Sequence, residues 1–483
     1  MTDIAFKPAR TLASMVRRKK IGARELLDHF IARVEKYNPK LNAIIATDLD
    51  AARKRAREAD RALARGKPWG PFHGVPMTIK EAFDLAGMPT TWGVPDFKNN
   101  IAKRDATAVQ RWKAAGAIVF GKTNVPAWLA DGQSFNAVYG VTNNPWDVTR
   151  TPGGSSGGSS AAIAAGLSGI ETGSDIASSI RNPAHNCGVF GHKPTWGLIP
   201  TRGHTLADVM TPLDISVVGP LARTPGDLEA ALDVLAGPDV IEAAGMTYTL
   251  PAPKKKAFKD FRIGVILNDP VSEVEQDVQD VLQKLVDFLA KKKAKINDKT
   301  RPNFAMRDVE RIFAFLLSGA MGGREPKEKF VANLKAAASL DASDQSLGAH
   351  WLRGATAYHR EWLGANEERT RLRFAWHEWF KDYDLMLLPV FPLAPHKHTD
   401  EPVETRTYTI NGKTMKHANV LFWAGLTGVA YLPATAAPAG FIKSGLPVGV
   451  QIVGPHFGDR QTIAFAKMLE QEWQGFVPPK GFE

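Results

Sequence analysis

The run Thr151-Pro152-Gly153-Gly154-Ser155-Ser156-Gly157-Gly158-Ser159-Ser160 constrains this chain more than any other stretch. Glycine, serine and alanine go on dominating as far as Gly173. Side chains this small permit close packing, because backbone can approach backbone where no Cβ intervenes. Residues 159–167 read as an alanine-rich helix opened by a glycine turn. A second run, Gly173-Ser174-Asp175-Ile176-Ala177-Ser178-Ser179-Ile180-Arg181, follows at once.

The flanking sequence alternates strand and helix signals. Residues 74–80 and 116–121 are short, β-branched and bounded by turn residues, and a helical stretch at 107–115 precedes the second. Residues 261–267 and 384–388 read as further strands, the latter ending at Pro389, with an amphipathic helix predicted over 274–292. Helical patterning occupies the N-terminal segment to about residue 68 and the tryptophan-rich segment of about 303–380, a cap or a peripheral layer. A proline- and lysine-containing linker is expected at 244–259. This alternation predicts an α/β fold.

Three chemistries compete for the small-residue runs. Gly153 and Gly158 have the glycine spacing of a phosphate-binding loop, but Ser159 stands where the phosphate-reaching lysine belongs. Gly153-x-Ser155-x-Gly157 matches a nucleophile elbow, yet Asn144-Pro145-Trp146-Asp147 ahead of it reads as loop and not as the required strand. The third reading joins two serines to a lysine.

That reading is carried by GGSSGGSSAAIAAG (153–166), by GSDIASSIRNPAHNCGVFGHKPTWGLIP (173–200) and by HGVPMTIKEAFDLAGMPTTWG (73–93). Together with GKTNVPAW, YGVTNNPWD, VVGPLART and GLPVGVQIVGPHFGD, they span roughly residues 20–465. In these motifs the chain resembles the amidase signature family. The resemblance implies a single α/β/α domain over 1–483, with a mixed, twisted central sheet covered by helices on both faces. It also implies hydrolysis of a carboxylic amide, and of esters, aryl amides or carbamates by the same apparatus. By motif, Lys80 matches the catalytic lysine, Ser155 the bridging serine in a cis peptide, and Ser179 the nucleophile. The backbone N–H groups of Ile176, Ala177, Ser178 and Ser179 match the oxyanion hole. The same signature occurs in glutaminase-type subunits of tRNA-dependent amidotransferases, and a catalytically disabled scaffold is the remaining alternative.

The chemistry can be argued without the family. An amide carbonyl is a poor electrophile, so its hydrolysis needs an activated hydroxyl, a proton for the leaving nitrogen and stabilisation of the oxyanion. A lysine is a base only when neutral, and at its ordinary pKa of about 10.4 it is charged unless burial or positive neighbours depress that value. Lys80 follows Val75, Met77 and Ile79, as on a buried strand. A serine hydroxyl both donates and accepts, so Ser155 can relay a proton. Asp175 is expected to organise its loop through backbone hydrogen bonds. Ala177 and Ser178 stand where the family usually has glycines, which predicts either ordinary φ there or a shifted loop.

Composition narrows the rest. Hydrophobic residues at 44% and charged residues at 23% exclude a disordered chain or a long coiled coil. The net charge of +11 resides in short lysine runs without interleaved aromatics, so a solvated surface is expected and no nucleic-acid partner. The lone Cys187 closes no internal disulfide and is read as buried structure; a cytoplasmic protein is expected. The uncharged stretch 420–442 is broken by Gly425, Gly428, Pro433, Pro438 and Gly440, predicting buried strands and turns and no membrane span. His396-Lys397-His398 lacks metal-ligand spacing, so neither metal nor cofactor is expected. The expected partner is a small-molecule amide, bound by a monomer or homodimer. Trp128, Phe135, Phe422 and Trp423 are the candidates for an apolar acyl pocket.

Overall fold

Strands covered on both faces lose the alternation of a half-exposed sheet and become continuous runs of buried residues. Pro76–Lys80, Glu171–Asp175, Leu385–Pro389 and Pro447–Val453 are buried at every position. The computed structural model describes residues 3–205, 209–322 and 325–483.

Eight strands form the central mixed sheet, in the order Lys295–Asn297, Arg262–Val265, Leu385–Pro389, Pro447–Val453, Ala434–Phe441, Phe190–Lys193, Val217–Ala222 and Glu171–Asp175. The first three run parallel and the remaining neighbours antiparallel. A second sheet orders Ile44–Thr47, Ile118–Thr123 and Pro76–Lys80. The two sheets meet where Thr78 Oγ1 donates to Glu171 Oε1 at 2.6 Å and Thr78 N–H donates to Ser168 Oγ at 2.9 Å.

Amphipathic helices flank this framework with an apolar stripe inward. In Gln276–Lys291 the buried residues are Val278, Val281, Leu282, Leu285, Val286 and Leu289, the spacing of one helical face. The helix Gly157–Ala164 is different, because all of its residues are buried. Its packing explains its composition: a Cβ on Gly158 would lie 2.3 Å from the Asn124 nitrogen.

Most of the expected elements are present, with two differences. Helices Ala9–Arg17, Ala23–Leu41 and Leu49–Ala64 fill the N-terminal segment, but the strand Ile44–Thr47 interrupts it and pairs with Ile118–Thr123. Residues 420–442 form the buried helix Phe422–Gly428 before the strand Ala434–Phe441, where strands and turns alone were expected. The helix is only seven residues long and contains Gly425 and Gly428, a length at which short apolar patterning does not separate helix from strand. No described helix is long and apolar enough to cross a membrane.

The tryptophan-rich segment folds as Met306–Gly322, Lys327–Ala338, Leu347–Ala355 and His359–Asp382. Trp376 and Trp379 from the last helix join the main apolar core.

Gly158→Ala tests the close approach. In an unhindered helix this change stabilises by about 1 kcal/mol; here the contact with Asn124 should reverse the sign and cost about 1–3 kcal/mol in urea unfolding. A more stable variant would show that the helix does not need its glycine.

Candidate active site

Lys80 ends the strand Pro76–Lys80 and is fully buried. Its Nζ donates to Ser155 Oγ at 2.7 Å, Ser174 Oγ at 2.9 Å and Ser156 Oγ at 3.0 Å. A charged ammonium satisfies three hydroxyls as donor to all of them, whereas a neutral amine can accept from one. Burial lowers its pKa to about 7, against the opposing pull of Asp175 and Glu171. Burial thus inclines the amine to give up its proton near neutrality.

Ser155 is reached through a cis Gly154–Ser155 peptide. Gly154 has no room for a side chain, since a Cβ would meet Asp131 O at 2.3 Å and Gln133 O at 2.5 Å. Ser156 N–H donates to Ser179 O at 3.1 Å, joining the glycine–serine segment to the second run. Ser155, Ser174 and Ser179 line one cavity together with Trp92, Trp128, Leu129, Ile176, Thr201, His204, Leu213, Ser216 and Met321. The structure thus brings Lys80, Ser155 and Ser179 together from three separate segments.

Asp175 builds the loop that carries Ser179. Its carboxylate accepts from the N–H groups of Ser178 at 2.8 Å, Ile180 at 3.1 Å and Arg181 at 3.3 Å. The Arg181 guanidinium adds two contacts at 2.8 and 3.0 Å. Burial works against the charge of Asp175, but Arg181 outweighs it and holds the carboxyl well below the usual range.

Within this network the four N–H groups expected at the oxyanion hole differ in their partners. The Ser178 N–H is committed to Asp175, which leaves the N–H groups of Ile176, Ala177 and Ser179 without an acceptor among the described residues. Of the two residues at usual glycine positions, Ser178 alone takes a positive φ, 109°. Its Oγ is buried with no hydrogen-bond partner among the described residues.

The pocket expectations divide. Trp128 lines the cavity, but Phe135, Phe422 and Trp423 do not. Phe135 sits half-buried in a small hairpin with Val141 opposite. Phe422 and Trp423 belong to the apolar core, where Trp423 Nε1 donates to Ser272 O at 3.0 Å. Aromatic residues near a motif in sequence are core unless the fold turns them outward, and the helix Phe422–Gly428 is buried throughout.

Sequence reasoning missed Ser174 and Trp92. A buried lysine needs a third acceptor, and Ser174 lies five residues before Ser179 on the strand beside it. Trp92 lies inside the lysine motif, where Glu81 accepts the backbone N–H groups of Thr91 and Trp92 and so fixes the turn. Cys187 is buried and its thiol is pushed up by burial, in keeping with a structural role. Among the described residues no cluster of His, Cys, Asp and Glu is arranged to hold a metal ion.

A positive φ costs a non-glycine residue roughly 1–2 kcal/mol. Ser178→Gly removes that cost and the unpaired hydroxyl, against the larger unfolded-state entropy of glycine. We expect a net gain of about 1 kcal/mol, read as a higher thermal midpoint; a loss would mean that the Ser178 side chain contributes a contact.

Comparison with known proteins agrees with this geometry. The family model described as Amidase matches residues 25–463. Human fatty-acid amide hydrolase 2 is 31% identical over 98% of this chain and 90% of its own length. A glutamyl-tRNA(Gln) amidotransferase chain of Roseiflexus castenholzii is 30% identical over 99% of this chain and 98% of its own. Among solved structures, a bacterial aryl acylamidase of the amidase signature enzymes superposes with a TM-score of 0.81 at 26% identity, over 96% of each chain. The 6-aminohexanoate cyclic dimer hydrolase superposes at 0.80 with 25% identity, over the full length of both.

Proposed function

Because this chain belongs to the amidase signature family of hydrolases, we propose that it cleaves the C–N bond of a neutral carboxylic amide through an acyl-enzyme on Ser179. The observation that carries this reading is the buried Lys80 amine, 2.7 Å from Ser155 Oγ, behind a cavity that Ser155 and Ser179 both line.

Ser179 Oγ attacks the amide carbon while its proton passes to Ser155, whose own proton passes to neutral Lys80. The carbonyl oxygen becomes an oxyanion, held by the N–H groups of Ile176, Ala177 and Ser179, which have no acceptor among the described residues. Collapse of this intermediate breaks the C–N bond, and the proton returns from Lys80 through Ser155 to the leaving amine. Water then attacks the acyl-enzyme by the same relay and releases the acid.

The cavity wall supports the substrate class. Trp92, Trp128, Leu129, Ile176, Leu213 and Met321 are apolar, and the polar lining among the described residues consists of hydroxyls and His204. Free glutamine carries an ammonium and a carboxylate whose desolvation needs charged partners. The described lining, apolar and hydroxyl-bearing, supports an aryl or aliphatic acyl group.

The isolated chain should hydrolyse neutral anilides and aliphatic amides in preference to glutamine. A fluorophosphonate should modify Ser179, located by peptide mass spectrometry, and Lys80→Ala should slow that labelling by about 10²–10⁴-fold. An adduct on Ser155 would reassign the nucleophile; none at all would favour a disabled scaffold. Since the folded pKa of Lys80 is about 7, the neutral base is lost as pH falls through that value, and kcat/KM should fall with it.

A further inference from the structure

Part of the cavity wall holds a backbone conformation that its side chains disfavour. Trp92, Trp128 and Leu129 line the cavity with φ of 55°, 58° and 59°. Left-handed backbone is rare for bulky residues and persists only where the surroundings impose it. Trp128 is 37% exposed, which puts it at the mouth, and Phe97 meets its ring at 84° with the centroids 5.9 Å apart. The Trp128 N–H donates to Trp92 O at 2.9 Å, tying the two tryptophans together.

The restraint comes from far along the chain. Asp131, three residues after Trp128, accepts both arms of the Arg406 guanidinium, Nη1 on Oδ1 at 2.6 Å and Nη2 on Oδ2 at 2.8 Å. Asp131 Oδ1 also accepts the Gln133 N–H at 3.0 Å. The pair is buried, with 1% of the Arg406 side chain and 10% of the Asp131 side chain exposed. Arg406 is itself anchored, donating through Nε and Nη2 to Glu401 O at 3.0 and 2.6 Å. Beside it, Gln133 Nε2 donates to Thr399 O at 3.0 Å, and Thr399 N–H returns a bond to Gln133 Oε1 at 3.1 Å. Residues 399–406 thus clasp the turn 127–133. Trp128, Leu129 and Ala130 span the gap between two fixed points, the Trp92 carbonyl and the Asp131 carboxylate. The same turn abuts the relay, because Asp131 O leaves no room for a Cβ on Gly154, the residue before Ser155.

We propose that Asp131 and Arg406 are positioning residues that fix Trp128 as the specificity wall of this cavity, against which a planar aryl group packs. As a substrate site, the wall rests on the amide hydrolysis proposed above. A bidentate arginine–carboxylate pair sets position and angle together. An aromatic wall discriminates by shape only if its ring is held in place by the groups behind it. A flat ring then gains stacked or edge-to-face contact with the indole that a puckered ring of similar size does not.

Benzamide and cyclohexanecarboxamide differ mainly in that planarity. Calorimetry on the full-length Ser179→Ala chain, which cannot form the acyl-enzyme, reads their binding without turnover. Benzamide should bind about 3–10-fold more tightly; equal affinities would overturn the aryl wall. In the same background Trp128→Leu should bring the ratio to about one, and Trp128→Phe should keep most of it. A ratio that survives Trp128→Leu would remove Trp128 from the role. Asp131→Asn combined with Arg406→Met leaves Trp128 in place and no lone charge buried, and it too should bring the ratio toward one. A pair that only stabilises the fold would lower the thermal midpoint and leave the ratio intact, which would overturn the positioning role. Should that double variant not fold, Arg406→Lys keeps the charge without the two-armed grip; its ratio should lie between those of the parent and Trp128→Leu, and an unchanged ratio would count against the clasp. If the wild type hydrolyses no amide while these ratios hold, the proposed function fails and the aryl site stands.

Discussion

An amine surrounded by three hydroxyls inside the protein is the interaction on which the remaining structure depends. Lys80 reaches Ser155, Ser156 and Ser174 from the end of a fully buried strand. Burying a charge without a partner is costly, so the site either pairs the lysine or neutralises it. The solution here is a set of neutral acceptors with the nearest strong acid diverted to Arg181. The consequence is chemical: a lysine that gives up its proton near neutrality can serve as a base.

The glycine–serine helix follows from the same demand. Two hydroxyls reach one amine only if their backbone comes close to the lysine strand and to its neighbours. Gly154 abuts the carbonyls of Asp131 and Gln133, and Gly158 abuts Asn124. Side chains at these points would push the serines outward. Arg223 closes the far end, its guanidinium donating to the carbonyls of Ile163, Ser168 and Gly169.

The loop bearing Ser179 shows how one residue departs from its neighbours' rule. Asp175 draws three backbone N–H groups inward and so turns the chain sharply after the strand. Ser178 sits at the tightest point with φ 109°, a conformation suited to glycine. Its amide donates to Asp175, and the neighbouring amides of Ile176, Ala177 and Ser179 have no acceptor among the described residues.

Much of this was legible in the residues alone. The α/β class and the strands read at 74–80 and 384–388 follow from local pattern, because turn chemistry and burial of strand residues act over a few positions, and the pairing of a lysine with two serine runs follows from the family resemblance. Tertiary structure alone decided which aromatics reach the cavity, with Trp92 and Trp128 facing it and Phe422 and Trp423 turned into the core. It alone placed Ser174 on the amine and Glu171 on Thr78, and it alone gave the Ser178 amide to the Asp175 carboxylate. The physical reason is common to all of these. Each depends on two chain segments that the fold brings within a few ångströms, and a residue's identity does not say which distant neighbour it will meet.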